Sequence, residues 1–218
     1  MIEAVVFDLD GVLIQTEEIW DEVRKGYIRE RGGRYDSEAQ RAMMGMSSLE
    51  WSRFIAEDLG VSLPPERISD DVVELMAVRY RERLPLIPGA GEAVERLAGR
   101  WPLAVASSSN RPLIDLVLEL SGLAGLFRAT VSSEEVPRGK PAPDVYLEAA
   151  RRLGVPAERC AAIEDSHSGI RSAKAAGMRV VAIPNPAYPP DEAALAEAHV
   201  VLRSINELTI DAVDPQPS

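Results

Sequence analysis

The 218-residue chain has one cysteine, three lysines and no long apolar run, and each shortage excludes something. With Cys160 alone, no internal disulfide can form. It precedes the apolar "AAI", so core packing is the expected role. No charged-then-apolar leader comes before the first strand-like stretch, and together with the cysteine count this leads us to expect a cytoplasmic protein. No apolar run approaches the ~18 residues of a membrane span, so no membrane partner is expected. Lysine occurs only as Lys25, Lys140 and Lys174, and the formal net charge is −11. Non-specific nucleic-acid binding draws on clustered basic side chains, so nucleic acid is excluded as a partner. There are no internal repeats and no low-complexity tract, and the tail Asp214–Ser218, "DPQPS", is the one candidate for disorder.

What is present is an ordinary globular inventory, 46% hydrophobic and 27% charged, so a sizeable core is available. Six apolar runs, "IEAVVF", "PLAVASSS", "RATVSS", "CAAIED", "RVVAIPN" and "HVVLRS", are separated by stretches of helical period. Their continuous apolarity predicts parallel strands covered on both faces. Between the first and second runs lies a long segment without a convincing strand. Its patterns "EEIWDEVRKGYIRERGG" and "SSLEWSRFIAEDLG" each stop at glycine, and "ISDDVVELMAVRYRERL" opens on Ser69 as a plausible N-cap. The expected fold is therefore α/β, a Rossmann-like doubly wound parallel sheet carrying an all-helical insertion. The core takes residues 1–14 and 87–218, and the insertion takes 15–86.

Polar residues collect where such a sheet binds ligands, at the carboxyl ends of its strands. Asp8 and Asp10 end the first run, where the plain alternative is an Asp-Gly turn. Ser107, Ser108 and Ser109 end the second, and a serine run is usually an N-cap. Lys140 stands in the proline-restricted loop "RGKPAPD", where a lone lysine is ordinarily solvated. Glu164 and Asp165 end "AAIED", again a common helix start. Taken together, these four weak signals supply crowded carboxylates, one cation and a set of hydroxyl and N–H donors. Crowded carboxylates repel one another unless a hard cation joins them, most economically Mg²⁺, and Mg²⁺ commonly pairs one or two carboxylates with a substrate phosphate. The ligand so implied is a phosphate ester.

Residues "FDLDGVL", the strand-ending Ser107, Lys140 in "GKPAPDVY" and "IEDSHSGIRSAKAAGM" resemble, in order, the four motifs of the haloacid dehalogenase superfamily. The helical insertion after the first motif resembles the cap of the branch containing β-phosphoglucomutase and small sugar-phosphate phosphatases. The resemblance implies that Asp8 is the nucleophile, forming an aspartyl-phosphate that water hydrolyses. It implies that Asp10 is the general acid and base, with its backbone carbonyl on Mg²⁺. Asp8 and Asp165 would be direct metal ligands, and Glu164 would contribute directly, through water or through Lys140. Ser107 and the N–H of Ser108 would hold phosphate oxygens, with Lys140 balancing charge.

The resemblance also narrows the activity. Haloacid dehalogenases proper lack the second aspartate, and a phosphonoacetaldehyde hydrolase needs a lysine in the loop that here reads "MMGMSS". β-Phosphoglucomutases carry a histidine on the first cap helix and a "KGxSR" loop. Here Trp20 and "MGMSS" stand there, with Met44 for the lysine and Ser48 for the arginine. With these polar anchors missing, hydrolysis of a small phosphorylated metabolite, a sugar or polyol phosphate, is expected over the alternative of a sugar phosphomutase; a non-catalytic phosphate-binding protein is the remaining reading. Substrate choice would fall to Trp20, Met44, Gly45, Met46, Ser47 and Trp51, although aromatic and methionine residues at helical spacing also commonly form a cap's own core. His167 is expected at a helix-start surface and His199 at a strand start, with Arg171 and Lys174 solvated.

Overall fold

In the computed structural model residues 1–43 and 46–215 are described. Met44 and Gly45, both expected to choose substrate, lie outside the described residues, as do the last three residues of the tail. The six apolar runs form β1 (Ala4–Phe7), β2 (Leu103–Ser107), β3 (Phe127–Ser132), β4 (Cys160–Glu164), β5 (Arg179–Ala182) and β6 (Val200–Val201). All pair in parallel, in the order β3-β2-β1-β4-β5-β6.

The continuous apolarity has a direct cause, because side chains alternate across a strand and both faces here are covered. Val5, Phe7, Leu103, Val105, Ala161 and Ile163 join one buried cluster. Ala4, Val6, Ala104, Cys160 and Ala162 join another on the opposite face. The first is closed by α5 (Ala90–Ala98) and α6 (Arg111–Leu120), which place Ala93, Val94, Leu97, Leu113, Ile114 and Val117 in it. The second is closed by α7 (Asp144–Leu153) and α8 (His167–Ala175), through Val145, Tyr146, Ala149, Ile170 and Ala173.

Two short helices, α9 (Glu192–Glu197) and α10 (Ile210–Val213), complete the sheet's surroundings. Strand order reverses at β1, since β2 and β3 lie to one side of it and β4, β5 and β6 to the other. A crevice at the carboxyl ends follows from that reversal.

Between β1 and α5 the chain is helical, forming α1 (Glu17–Glu30), α2 (Ser37–Met43), α3 (Ser48–Glu57) and α4 (Pro65–Glu82). On α4, Ile68, Val72, Met76 and Tyr80 are all buried at a spacing of four, which puts them on one face. Trp20, Val23, Tyr27 and Ile28 of α1 and Trp51 and Ile55 of α3 join them in one apolar cluster. The segment departs and returns side by side: the Gln15 N–H donates to the Pro85 carbonyl at 2.8 Å, and the Ile87 N–H to Leu13 at 2.9 Å.

Two details differ from the sequence reading. Helix α4 starts at Pro65 rather than at Ser69, because a proline at the first helical position gives up only an N–H that would have no partner there. Ser69 is one turn inside and its Oγ accepts a long hydrogen bond, 3.4 Å, from Asn110 Nδ2. Helix α2, only seven residues, has too few turns to show a period, and Asp36 caps it through the N–H groups of Glu38 and Ala39. Among the described residues no helix is long and apolar enough to cross a membrane.

Candidate active site

The Asp8 N–H donates to the Ile163 carbonyl at 2.9 Å, so pairing between β1 and β4 sets the aspartate at the sheet edge beside Glu164 and Asp165. One carboxylate oxygen on each of Asp8, Glu164 and Asp165 lies within 4.8 Å of the others, and all three residues are buried. The loop that follows must pass close to this group. Gly11 has φ of +83°, and a Cβ there would overlap the Asp165 carboxylate. Gly169, in the first turn of α8, leaves no room for a Cβ either, because Glu164 fills the space.

Lys140 enters the group from the loop before α7. Its Nζ donates to Asp8 Oδ1 at 2.8 Å and to Glu164 Oε1 at 2.6 Å, and its side chain is 3% exposed, so this lysine is not solvated. Glu164 is held from both ends. Oε1 also accepts from Tyr146 Oη at 2.7 Å, and Oε2 accepts from the N–H groups of Asp165 and Ser166 and from Ser166 Oγ.

Three carboxylates crowd one ammonium, and the imbalance registers in the acidity of Asp8 and Asp165. Burial pushes the Asp8 carboxyl up to about 7; the Lys140 ammonium opposes the rise, and Glu164 and Asp10 add to it. Burial, with Glu164 and Asp8, raises Asp165 well above the carboxylate range. Lys140 is raised above its ordinary value because Asp8 and Glu164 outweigh its burial. An all-oxygen donor set with excess negative charge fits a hard divalent cation.

The Asp10 side chain is kept apart from that cluster. Its Oδ1 accepts from Thr16 Oγ1 at 2.7 Å and its Oδ2 from Ser109 Oγ at 2.6 Å. Ser107 is fully buried, its Oγ accepting from the Ser109 N–H at 3.0 Å; Ser108, Ser109 and Asn110 form the cavity wall in front of it. Asn110 donates to Glu134 at 2.8 Å, as well as to Ser69 on α4.

The same cavity contains Asp8, Asp10, Lys140 and Asp165, and the helical segment contributes Trp20, Met43, Met46 and Trp51 to it. The two tryptophans are also part of the apolar cluster, so both readings of them hold, as lining and as core. Ser47 is elsewhere, in a separate cleft, where its N–H and Oγ both reach Glu50 Oε2 at 2.7 Å at the start of α3. His167 lies exposed at the cavity rim. His199 is structural, its Nδ1 accepting from the Val180 N–H at 2.9 Å.

Sequence reasoning missed Thr16, Glu17, Arg24 and Tyr146. Glu17 and Arg24 were discoverable, since positions 17, 20 and 24 fall on one face of a helix and Trp20 was already singled out. Tyr146 and Thr16 carried no comparable signal, because their partners are distant in the chain or depend on the loop's course.

The family model for haloacid dehalogenase-like hydrolase matches residues 2–177. Hexitol phosphatase B of Escherichia coli (strain K12) is 34% identical over 215 residues, covering 95% of each chain. The bifunctional riboflavin kinase/FMN phosphatase of Arabidopsis thaliana is 30% identical over 95% of this chain, which spans 54% of that protein's length. Among solved structures, CbbY from Rhodobacter sphaeroides in complex with phosphate has a TM-score of 0.88 at 30% identity, covering 98% of this chain and 100% of the other. With that match over most of its length and the four motifs gathered at one edge of the sheet, the chain belongs to the haloacid dehalogenase-like hydrolases.

Proposed function

We propose that this phosphatase hydrolyses a small sugar or polyol phosphate through an aspartyl-phosphate on Asp8, with Mg²⁺ as its cation and residues 15–86 as a cap over the site. The observation that carries the reading is the separation of two aspartates two positions apart. Asp8 sits among the carboxylates on Lys140, while Asp10 is held off by Thr16 and Ser109. The similarity to hexitol phosphatase B supports a polyol phosphate as the substrate class.

Asp8, Asp165 and the Asp10 carbonyl would hold Mg²⁺, which when bound lowers the repulsion between the Asp8 carboxylate and a phosphate dianion. Asp8 Oδ attacks phosphorus and the bond from phosphorus to the ester oxygen breaks. The departing oxygen takes a proton from Asp10. Water then yields a proton to Asp10 as its oxygen attacks phosphorus, and Asp8 leaves as a carboxylate.

Lys140 fixes Asp8 and offsets the charge of the phosphoryl group in transfer. Glu164, whose oxygens are taken by Lys140, Tyr146 and the backbone, acts by placing the lysine. Ser108, on the cavity wall, would supply its N–H and hydroxyl to phosphate oxygens, while Ser109 spends its N–H on Ser107 Oγ and its hydroxyl on Asp10. No single part suffices, since a general acid supplies only ~10²–10⁴ where phosphate-monoester hydrolysis can require accelerations up to ~10²¹.

The test is phosphate release from a panel of sugar, polyol, nucleotide and acid phosphates, with Mg²⁺ and with chelator. Esters on sugar- or polyol-derived chains, with or without a terminal acid group, should lead over nucleotides with Mg²⁺ present, and Asp8→Asn should abolish release. An Asp8→Asn protein that keeps most of its activity would overturn the nucleophile.

A further inference from the structure

Arg24 lines the cavity that contains Asp8, Asp10 and Lys140. Its guanidinium carbon lies 4.4 Å from the centroid of the Trp20 ring and 4.9 Å from that of Trp51. The two rings meet at 58° with their centroids 6.0 Å apart, and the guanidinium packs against both of them. Packing against aromatic rings limits where a guanidinium can go while leaving its N–H groups able to bind.

Those groups are unused. Among the described residues no carboxylate reaches ion-pair distance of Arg24, and its buried Nε has no hydrogen-bond acceptor. Arg31, Arg67, Arg79, Arg111, Arg138 and Arg152 all have carboxylate partners, in a chain with 35 acidic residues. Burial lowers the Arg24 pKa to about 10, which leaves it a cation at neutral pH. Glu17 lines the same cavity, but it too lies beyond ion-pair distance. A half-buried cation whose Nε is cut off from water without an acceptor is costly unless a ligand completes it, and a guanidinium fork matches the paired oxygens of a carboxylate or phosphate.

We propose that Arg24, framed by Trp20 and Trp51, anchors an oxyanion at the end of the substrate remote from the ester attacked by Asp8. This rests on the phosphatase reading above and narrows its substrate class to bifunctional acids, either bisphosphates or phosphorylated carboxylic acids. An uncharged polyol tail could hydrogen-bond to the fork but would leave its charge unbalanced.

Three esters of one chain length separate the possibilities: a pentitol 5-phosphate, a pentonate 5-phosphate ending in carboxylate, and a pentitol 1,5-bisphosphate. At least one acid-tailed ester should exceed the hydroxyl-tailed one in kcat/KM by roughly 10- to 100-fold, the worth of a hydrogen bond to a charged group. The arm that leads identifies the oxyanion. Arg24→Gln should collapse that ratio towards one through KM, and Arg24→Lys should restore part of it. Equal losses on all three esters, or no preference in the native enzyme, would overturn the proposal and leave Arg24 as a packing residue.

Binding gives an independent readout, because ligand contact with Arg24 must perturb the emission of its two flanking tryptophans. In the Mg²⁺-loaded Asp8→Asn protein, the acid-tailed ester should titrate that emission at lower concentration than the hydroxyl-tailed one, and Arg24→Gln should remove the difference. If no ester turns over but the binding preference stands, the phosphatase reading fails and the anchor survives. If esters turn over without discrimination and bind alike, the anchor alone fails.

Discussion

Lys140 and Asp8 lie 132 positions apart in the chain, yet the lysine Nζ donates to Asp8 Oδ1 at 2.8 Å and both residues are buried. The same ammonium bonds Glu164, so one cation serves the nucleophile and its acidic neighbour. Removing it should leave three carboxylates facing one another with nothing between them.

Lys140→Met is therefore expected to lower kcat/KM by about 10²–10³ or more, in line with the loss of one charge-stabilising donor. Without a divalent cation it should also cost about 3–5 kcal/mol of stability, as breaking a buried pair does. Thermal unfolding in chelator and in Mg²⁺ measures this. The deficit should shrink in Mg²⁺, and equal deficits in both would show that charge balance is not what Lys140 supplies.

Asp10 should be separable from Asp8 by kinetics. Asp10→Asn still permits attack on an aryl phosphate with a good leaving group but lacks the base that activates water. A stopped-flow trace with 4-nitrophenyl phosphate should show a burst close to one nitrophenol per active site, then turnover slowed by roughly 10²–10⁴. Asp8→Asn should show no burst. Ser109→Ala, which frees one Asp10 oxygen, should lower kcat with little change in KM.

Glycine substitutions should split by what surrounds them. Gly169→Ala forces a methyl into the Glu164 carboxylate, and Gly11→Ala combines a φ of +83° with overlap on Asp165. Both should lose activity and thermal stability together. Gly26, within α1, has no neighbour within 4 Å of where a Cβ would stand, so Gly26→Ala should stabilise by about 0.5–1 kcal/mol. Denaturant midpoints would measure all three.

The pH dependence of stability should carry a contribution from His199. Burial, with Lys174 and Arg179 nearby, holds its pKa below the usual 6.5, and its Nδ1 must stay unprotonated to accept from Val180. The unfolded chain therefore binds the proton more readily than the fold does. The stabilisation is present above 6.5 and is lost as pH falls from there towards the lower folded value. His199→Asn keeps an acceptor but does not titrate. Native melting temperature should fall relative to that variant between pH 7.5 and 5.5, and a constant difference would refute the assignment.

The sheet and its reactive edge were legible because both depend on local patterns. The central strands are short apolar runs covered on both faces, and three of the reactive groups stand where a run stops: Asp8 after Phe7, Ser107 at the end of β2, Glu164 at the end of β4. Cys160 and His199 were likewise placed by their immediate neighbours. The start of α4 was misread because a serine before acidic residues looks like a cap, whereas Pro65 four residues earlier fits the first turn better. Ser47 was assigned to the substrate because the loop around it resembled a specificity loop, yet its hydroxyl is spent on Glu50.

The sequence by itself determined a parallel α/β sheet, a helical insertion and two aspartates in one motif at a strand end. These follow from side-chain period and from residue order, which act within a few positions along the chain. Only the tertiary structure decided how the charges are shared. Lys140 binds both Asp8 and Glu164, Thr16 and Ser109 hold Asp10 away from them, and Arg24 packs against two tryptophans without a carboxylate partner among the described residues. A charge is neutralised by whatever folding brings within a few ångströms of it, and that distance is not written in the order of residues.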